Sequence, residues 1–228
     1  MTSTVISLTT LPSRLAYLER CVASLVVQGL PVYVWLPRYV ERLDVGFDGV
    51  PEFLKEMSVH VEIVEDQGPA TKLLPALKRF DTVITADDDH IYGEGWAQGF
   101  LEWAERRPDA ALGYRGRQFG SDLRYNKSRL IERSEKLVEV HLITSVHGTL
   151  YHRRHFEASI FDEWKQWKRN DDIVLGGHLW QRGVPILVIP AQCSIRKAGA
   201  HATDALWHMN QQGANDKGLR KFYPGWGE

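Results

Sequence analysis

DTVITADDDHIY, running from Asp81 to Tyr92, is the stretch that decides the fold. Its first half, Thr82 to Ala86, is small, β-branched and apolar. It is too short for a helix and predicts a buried strand. The run stops at three consecutive carboxylates. Extended backbone would send Asp87 and Asp89 to one face and Asp88 to the other. Three adjacent anions repel one another, and burying any of them unpaired is costly or forces protonation. A cation is therefore expected beside them, and an all-oxygen donor set suits a hard divalent ion, Mg²⁺ or Mn²⁺. The competing reading is a solvated acidic turn that closes a strand.

The flanking segments predict an α/β protein. Val5 to Leu8 reads as a first strand. Leu15, Leu18, Val22, Leu25 and Val26 then fall on one helical face, stopped at Gly29. Val32 to Leu36 is bulky with weak alternation, as in an interior parallel strand. Residues 37–58 read as irregular, and His60 to Val64 resumes strand character. Gly68 to Lys72 opens a helix expected to run to about Arg79, directly before the carboxylate strand. This order points to a mainly parallel sheet with right-handed crossovers.

Downstream, Gly95 to Arg107 predicts a helix with Phe100, Leu101 and Ala104 inward, and Ala110 to Tyr114 a strand. Arg115 to Lys136 holds seven Lys or Arg against three acids, with few large apolar residues. It reads as a surface excursion able to move as a flap. Leu137 to Thr144 alternates like one half-buried strand. Asn170, Asp171 and Asp172 cap a helix through Arg182, whose apolar face is Ile173, Leu175, Leu179 and Trp180. Gly183 ends it, and Val184 to Ile189 is a last strand. From Pro190 onward the chain reads as a tail with a short helix at Thr203 to Gln211.

The 228 residues, 43% hydrophobic and 25% charged, suit one domain with a sizeable core. A formal net charge of −1 argues against nucleic acid as a partner. Two cysteines, Cys21 and Cys193, make neither a disulfide framework nor a zinc knuckle and fit a reducing cytoplasm. No apolar run reaches spanning length, and the first residues lack a signal-peptide layout.

In α/β proteins ligands collect at the carboxyl ends of strands. The Thr9–Arg14 turn, Asp66 to Lys72, Asp87 to Asp89, and Asn170 to Asp172 all stand at such ends. Lys72, in the first turn of its helix, is placed either to meet a phosphate or simply to be solvated. Asp171 and Asp172 can cap their helix, but one carboxylate suffices for that and the other is free to act as a general base. His141, His147, His152 and His155 lack the helical spacing of a zinc protease. His201 and His208, in the tail, are either ordinary surface histidines or candidates to complete an aspartate-based metal site.

In order and spacing, these segments resemble a GT-A-fold nucleotide-sugar glycosyltransferase of the DxD-containing, bacterial family-2 type. VISLTTLPSR (Val5 to Arg14) resembles the first nucleotide-binding strand and loop. DQGPATKLLPAL (Asp66 to Leu77) resembles the segment before the metal strand, and ITADDDHIY (Ile84 to Tyr92) the DxD motif. HGTLY (His147 to Tyr151) resembles the acceptor-side and donor-sugar loop, and NDDIVLGGHLWQRG (Asn170 to Gly183) the late acidic motif.

The resemblance implies a Rossmann-like, mixed but mainly parallel sheet flanked by helices. Residues 1–92 would form the nucleotide-binding half, 93–189 the acceptor and catalytic half, and 190–228 a C-terminal tail. It implies a UDP-sugar or related donor, a glycan or glycolipid hydroxyl as acceptor, and Mn²⁺ or Mg²⁺ as cofactor. Thr9 and Arg14 would touch the nucleotide or its phosphates, Asp66 the base, and Lys72 the base or diphosphate. Asp87 would serve the ribose or the metal, Asp88 would stand with the donor, and Asp89 and His201 would bind the ion. Asp172 matches the catalytic base, with Asp171 the neighbouring alternative because the motif here reads Asn-Asp-Asp. An inverting reaction in the cytoplasm, with a lipid-linked acceptor met at the inner membrane face, follows from the same resemblance. A metal-dependent phosphohydrolase or nuclease and a non-catalytic sugar-nucleotide-binding domain are the rival readings.

Overall fold

The computed structural model describes residues 3–168, 170–191, 193–199 and 213–227. Thr4–Thr9 (β1) is buried along its middle four residues, as a strand covered on both faces must be. It pairs in parallel with Val32–Pro37 (β2) on one side, Ile6 opposite Val32, and with Thr82–Ala86 (β4) on the other, Ile6 opposite Ile84. His60–Val64 (β3) lies parallel beyond β2. Between β1 and β2 runs Leu15–Val26 (α1); Leu18, Val22 and Leu25 of the expected face are buried and Cys21 joins them, while Leu15 and Val26 at its ends are only half-buried.

Past β4 the chain turns at Asp88 and Asp89 and returns as a short strand, His90–Tyr92 (β5). The large sheet is then extended by Ala111–Gly113 (β6), Val138–Glu139 (β9), Thr149–His152 (β11) and Ile186–Val188 (β12). Its order is β3-β2-β1-β4-β11-β6-β12-β9. β11 is antiparallel to both β4 and β6, β12 is parallel to β6, and β9 closes the edge antiparallel to β12. The chain is thus α/β with an eight-stranded mixed, mainly parallel sheet of Rossmann-like character. Strand order reverses between β1 and β4, and Leu8 pairs with Ala86 there, so the segments leaving both strands meet at one switch point.

Period-two alternation sorts the core into two layers. Ile6, Leu8, Ile84 and Leu150 pack with α1 and with Trp96–Arg106 (α4). Val5, Val83, Tyr151 and Val188 face the other layer. There they meet Leu74–Leu77 (α3), Ser159–Lys165 (α5), Asp171–Gln181 (α6) and Ala214–Phe222 (α7). On α4, Trp96, Ala97 and Phe100 are the fully buried residues, while Leu101 and Ala104 are only half-buried.

Several expectations are corrected. Residues 115–136 are not a loose flap. Arg115–Gln118 (β7) and Arg129–Glu132 (β8) form an antiparallel hairpin, which Leu142–Ile143 (β10) widens to three strands. Phe119, Leu123 and Ile131 anchor it in the core, too widely spaced to announce a period. Leu137 to Thr144 is two short strands, since the chain crosses there from the large sheet to the small one. The helix expected from Gly68 to Arg79 is a 3-10 turn, Gly68–Lys72, followed by the single turn of α3. Pro75 has no N–H to continue the ladder. Glu52–Glu56 (α2) interrupts the stretch expected to be irregular. In the tail, Ile195–Lys197 (β13) pairs with β5. The helix expected at Thr203 to Gln211, with His201 and His208, lies outside the described residues. Among those described, no helix is long and apolar enough to cross a membrane.

Gly148 begins the approach to β11 at φ +96°, and a Cβ there would lie 2.5 Å from the Trp96 ring. Gly148→Ala combines a backbone region closed to other residues with overpacking, and is expected to cost on the order of 2–4 kcal/mol. Urea denaturation of the variant against the parent measures this directly.

Candidate functional site

Because the backbone turns after Asp87, the three carboxylates diverge instead of alternating. Asp88 is buried at 3% exposure. Its two oxygens accept from the Thr10 hydroxyl at 2.7 Å and the Arg14 guanidinium at 2.8 Å, which fastens the loop leaving β1 to the loop leaving β4. Asp87 accepts from the Lys72 ammonium at 2.7 Å. Asp89 hydrogen-bonds His90 Nδ1 at 2.6 Å and keeps 30% of its side chain exposed. Burial works against its charge, but the His90 bond and the nearby Arg14 outweigh it and hold Asp89 below the usual carboxylate range. The cation that the triplet requires is thus in part the protein's own: Lys72 for Asp87 and Arg14 for Asp88.

Lys72 is not a solvated residue at a helix start. Its side chain is 7% exposed, and Nζ donates to Asp87 and, at 2.9 Å, to the Ser145 hydroxyl, with Asp171 Oδ2 at 3.4 Å. Burial disfavours the ammonium, but Asp171, Asp87 and Asp172 together raise its pKa above that of free lysine.

The start of α6 separates two roles that the sequence left open. Asn170 is the cap, its side-chain oxygen accepting from the Ile173 N–H. Neither aspartate is needed for that. Asp171 is buried beside Lys72, and Asp172 Oδ1 accepts from both the N–H and the hydroxyl of Ser145, at 3.1 and 2.7 Å. Ser145 therefore stands between the ammonium and Asp172. Burial and the neighbouring Asp171 push the Asp172 carboxyl up to about 7, against the opposing pull of Lys72 and Ser145.

These groups open on a cleft of about 1130 Å³. Thr9, Arg14, Asp66, Lys72, Asp87, Asp88, Asp89, Asp171 and Asp172 all line it. Thr9 spends its hydroxyl on the Trp35 carbonyl at 2.9 Å, and Asp66 accepts from the Gly68 N–H at 2.8 Å to turn the chain. Burial raises the Asp66 pKa. His201 lies outside the described residues.

Sequence reasoning missed Thr10, His90 and Ser145, and did not single out Arg115, Arg117 and Tyr125 on the hairpin wall. Ser145 lies 73 residues from Lys72 and 27 from Asp172, and nothing local distinguishes it. Of the four central histidines, His147 alone reaches the cleft, its pKa lowered to about 4 by burial and then by Arg115 and His90. His141 accepts from the Phe119 N–H, and His152 meets the Thr82 hydroxyl.

No protein-family profile matches the chain, and no curated protein matches it at a significant level.

Lys72→Met would leave the buried Asp171 and the half-buried Asp87 without their cation, at a cost of about 3–5 kcal/mol at pH 7. Chemical denaturation of parent and variant at pH 7 checks this, and equal stability of the two would remove Lys72 from the structural role.

Proposed function

We propose that this chain is a GT-A-type glycosyltransferase, moving a sugar from a nucleoside-diphosphate sugar, a UDP-sugar first among them, to a hydroxyl of a glycan or glycolipid. The observation that carries the reading is Asp172: a carboxylate with its pKa raised to about 7, held by Ser145, in the same cleft as Asp87, Asp89 and the Thr9–Arg14 loop. A base of that strength, oriented by two hydrogen bonds, suits proton removal from an attacking hydroxyl.

Mg²⁺ or Mn²⁺ commonly keeps several waters and takes one or two protein carboxylates beside substrate phosphates. Among the described residues no group of three or more His, Cys, Asp or Glu side chains could hold an ion unaided. Asp87 and Asp89 nonetheless line one cleft, and their hard oxygen donors fit an ion whose shell is completed by water and a diphosphate. When bound, such an ion would stabilise charge on the pyrophosphate oxygens.

The chain's own residues supply the rest. The acceptor oxygen attacks the anomeric carbon while its proton passes to Asp172. The bond from that carbon to the diphosphate oxygen breaks, and its electron pair leaves with the nucleotide, giving inversion. Arg14, fixed by Asp88, lends positive potential to the wall formed by the β1 loop, where the resemblance puts the phosphates. Asp66 would face the base. A two-ion phosphohydrolase has less support, because it leaves Asp172 and its Ser145 clamp without a task.

Nucleoside-diphosphate release with Mn²⁺, measured across common sugar nucleotides with and without glycan acceptors, tests the reading. Transfer should fall on acidification through about pH 7, as the base takes up its proton. Asp172→Asn should retain donor binding and lose 10²-fold or more in turnover. The stability effect has the opposite sign. An acid whose folded pKa is raised destabilises the fold above its unfolded value, so Asp172→Asn should melt no lower than the parent at pH 8, the difference vanishing near pH 4. If every donor is inert and none binds, the transferase reading fails.

A further inference from the structure

The wall facing the β1 and β4 loops is built by the β7–β8 hairpin, and one of its cations is not balanced as the others are. Arg115 pairs with Glu132 at 2.9 Å, Arg14 with Asp88, and Lys72 with Asp87 and Asp171. Arg117 lines the same cleft, yet no carboxylate among the described residues pairs with it. Its Nη1 donates to the Ser128 hydroxyl at 2.9 Å, and Ser128 in turn donates to the Tyr125 carbonyl. The guanidinium lies over the Tyr125 ring, 4.3 Å from its centroid. Its Nε is buried with no hydrogen-bond partner.

The arrangement is held in place rather than free to swing. Tyr125 N–H donates to Asp216 at the start of α7, and Asn215, one residue earlier, bonds the side chain of Asn170, the cap of α6. Tyr125 is thereby tied to the helix that carries Asp172, and its phenol pKa is raised by burial and by the Asp172 charge and drawn down by Arg117. A guanidinium fixed on an aromatic face, with fork donors left over, is a recognition element for a planar or tetrahedral oxyanion.

We infer that Arg117, seated on Tyr125 and braced by Ser128, is an anion subsite on the acceptor side of the cleft, and that the acceptor carries a carboxylate or phosphate beside the hydroxyl that reacts. The inference rests on the transferase reading for the word acceptor, but the subsite itself stands on Arg117 alone. A uronic acid residue or a sugar phosphate has the required chemistry. A neutral glycan leaves the guanidinium as it is and gains nothing from it.

Three probes separate the cases: methyl β-glucuronide, glucose 6-phosphate and the neutral methyl β-glucoside, titrated against the parent chain, Arg117→Met and Arg117→Lys, with UDP and GDP titrated in parallel. At least one anionic probe should bind the parent about tenfold or more tighter than the glucoside. Whichever of the two is preferred identifies carboxylate or phosphate. Arg117→Met should abolish the preference, and Arg117→Lys should keep part of it, showing that the fold is intact and the charge is what matters. Nucleotide affinity should be unchanged in both. Equal binding of charged and neutral probes overturns the inference. So does a matching loss of nucleotide affinity in Arg117→Met, which would give Arg117 to the donor. A parent chain that prefers an anionic probe but binds neither nucleotide keeps the subsite and sinks the transferase reading alone.

Discussion

A single buried ammonium holds the site together. Lys72 joins the turn after β3 to the end of β4 through Asp87, to the turn before β11 through Ser145, and to the start of α6 through Asp171. Buried ion pairs are poor sources of net stability, because desolvation takes back much of the Coulomb gain. What they provide is position. Four segments distant in sequence can converge with carboxylates inward only if a cation sits among them, and a lysine stem long enough to arrive from the Gly68–Lys72 turn meets that need. The same burial leaves Asp172 apart from the ammonium, its oxygen taken by the neutral donors of Ser145. Its pKa is raised by burial and by the neighbouring Asp171, which outweigh the opposing pull of Lys72 and Ser145.

The sheet explains why these segments meet where they do. With β1 in the middle, β2 and β3 added outward and β4 on the opposite side, the carboxyl ends of β1 and β4 open side by side. Asp88 then fastens the two loops through Thr10 and Arg14. The second half closes the cleft by packing helices closely. Gly176 and Gly177 on α6 leave no room for side chains where Tyr223 and Phe222 of the α7 segment come in, a Cβ at either falling within 2.5 Å of them. α7 in turn holds the hairpin through Asp216, and Trp226 reaches the Gly120 carbonyl. The loops leaving β1 and β4 and the hairpin wall are therefore parts of one packed unit.

Much of this was legible in the chain itself. The short apolar runs of β1, β2 and β4 and the stripe of α1 announce themselves by period, and the acidic and basic candidates at strand ends do line one cleft. What escaped depends on tertiary contact. Nothing in the residues around Ser145 marks it as the link between Lys72 and Asp172. The divergence of the aspartate triplet required knowing that the backbone turns after Asp87, and the split of Gly68 to Arg79 required weighing Pro75 above helical propensity. The hairpin from Arg115 to Glu132 was hidden because only Phe119, Leu123 and Ile131 anchor it, while its charges suggest a solvated loop.

The charges of the cleft also sort themselves into those already answered and those left over. Asp88 has Arg14, Asp87 and Asp171 share Lys72, Glu132 has Arg115, and Asp89 has His90. Asp172 and Arg117 fall outside this pairing: among the described residues Asp172 is bonded to the neutral donors of Ser145, and Arg117 has a hydroxyl and an aromatic face. Both act on Tyr125, whose phenol is raised by burial and by Asp172 while Arg117 opposes the rise. Neutralising them against each other would have taken one direct ion pair. The fold instead seats Arg117 on the half-buried Tyr125 and fastens that tyrosine to α7, with Asp172 and Arg117 both at the wall of the cleft and not paired with each other. Two groups left without an ion partner at one cleft are the arrangement expected where an incoming molecule, rather than the protein, is to complete both.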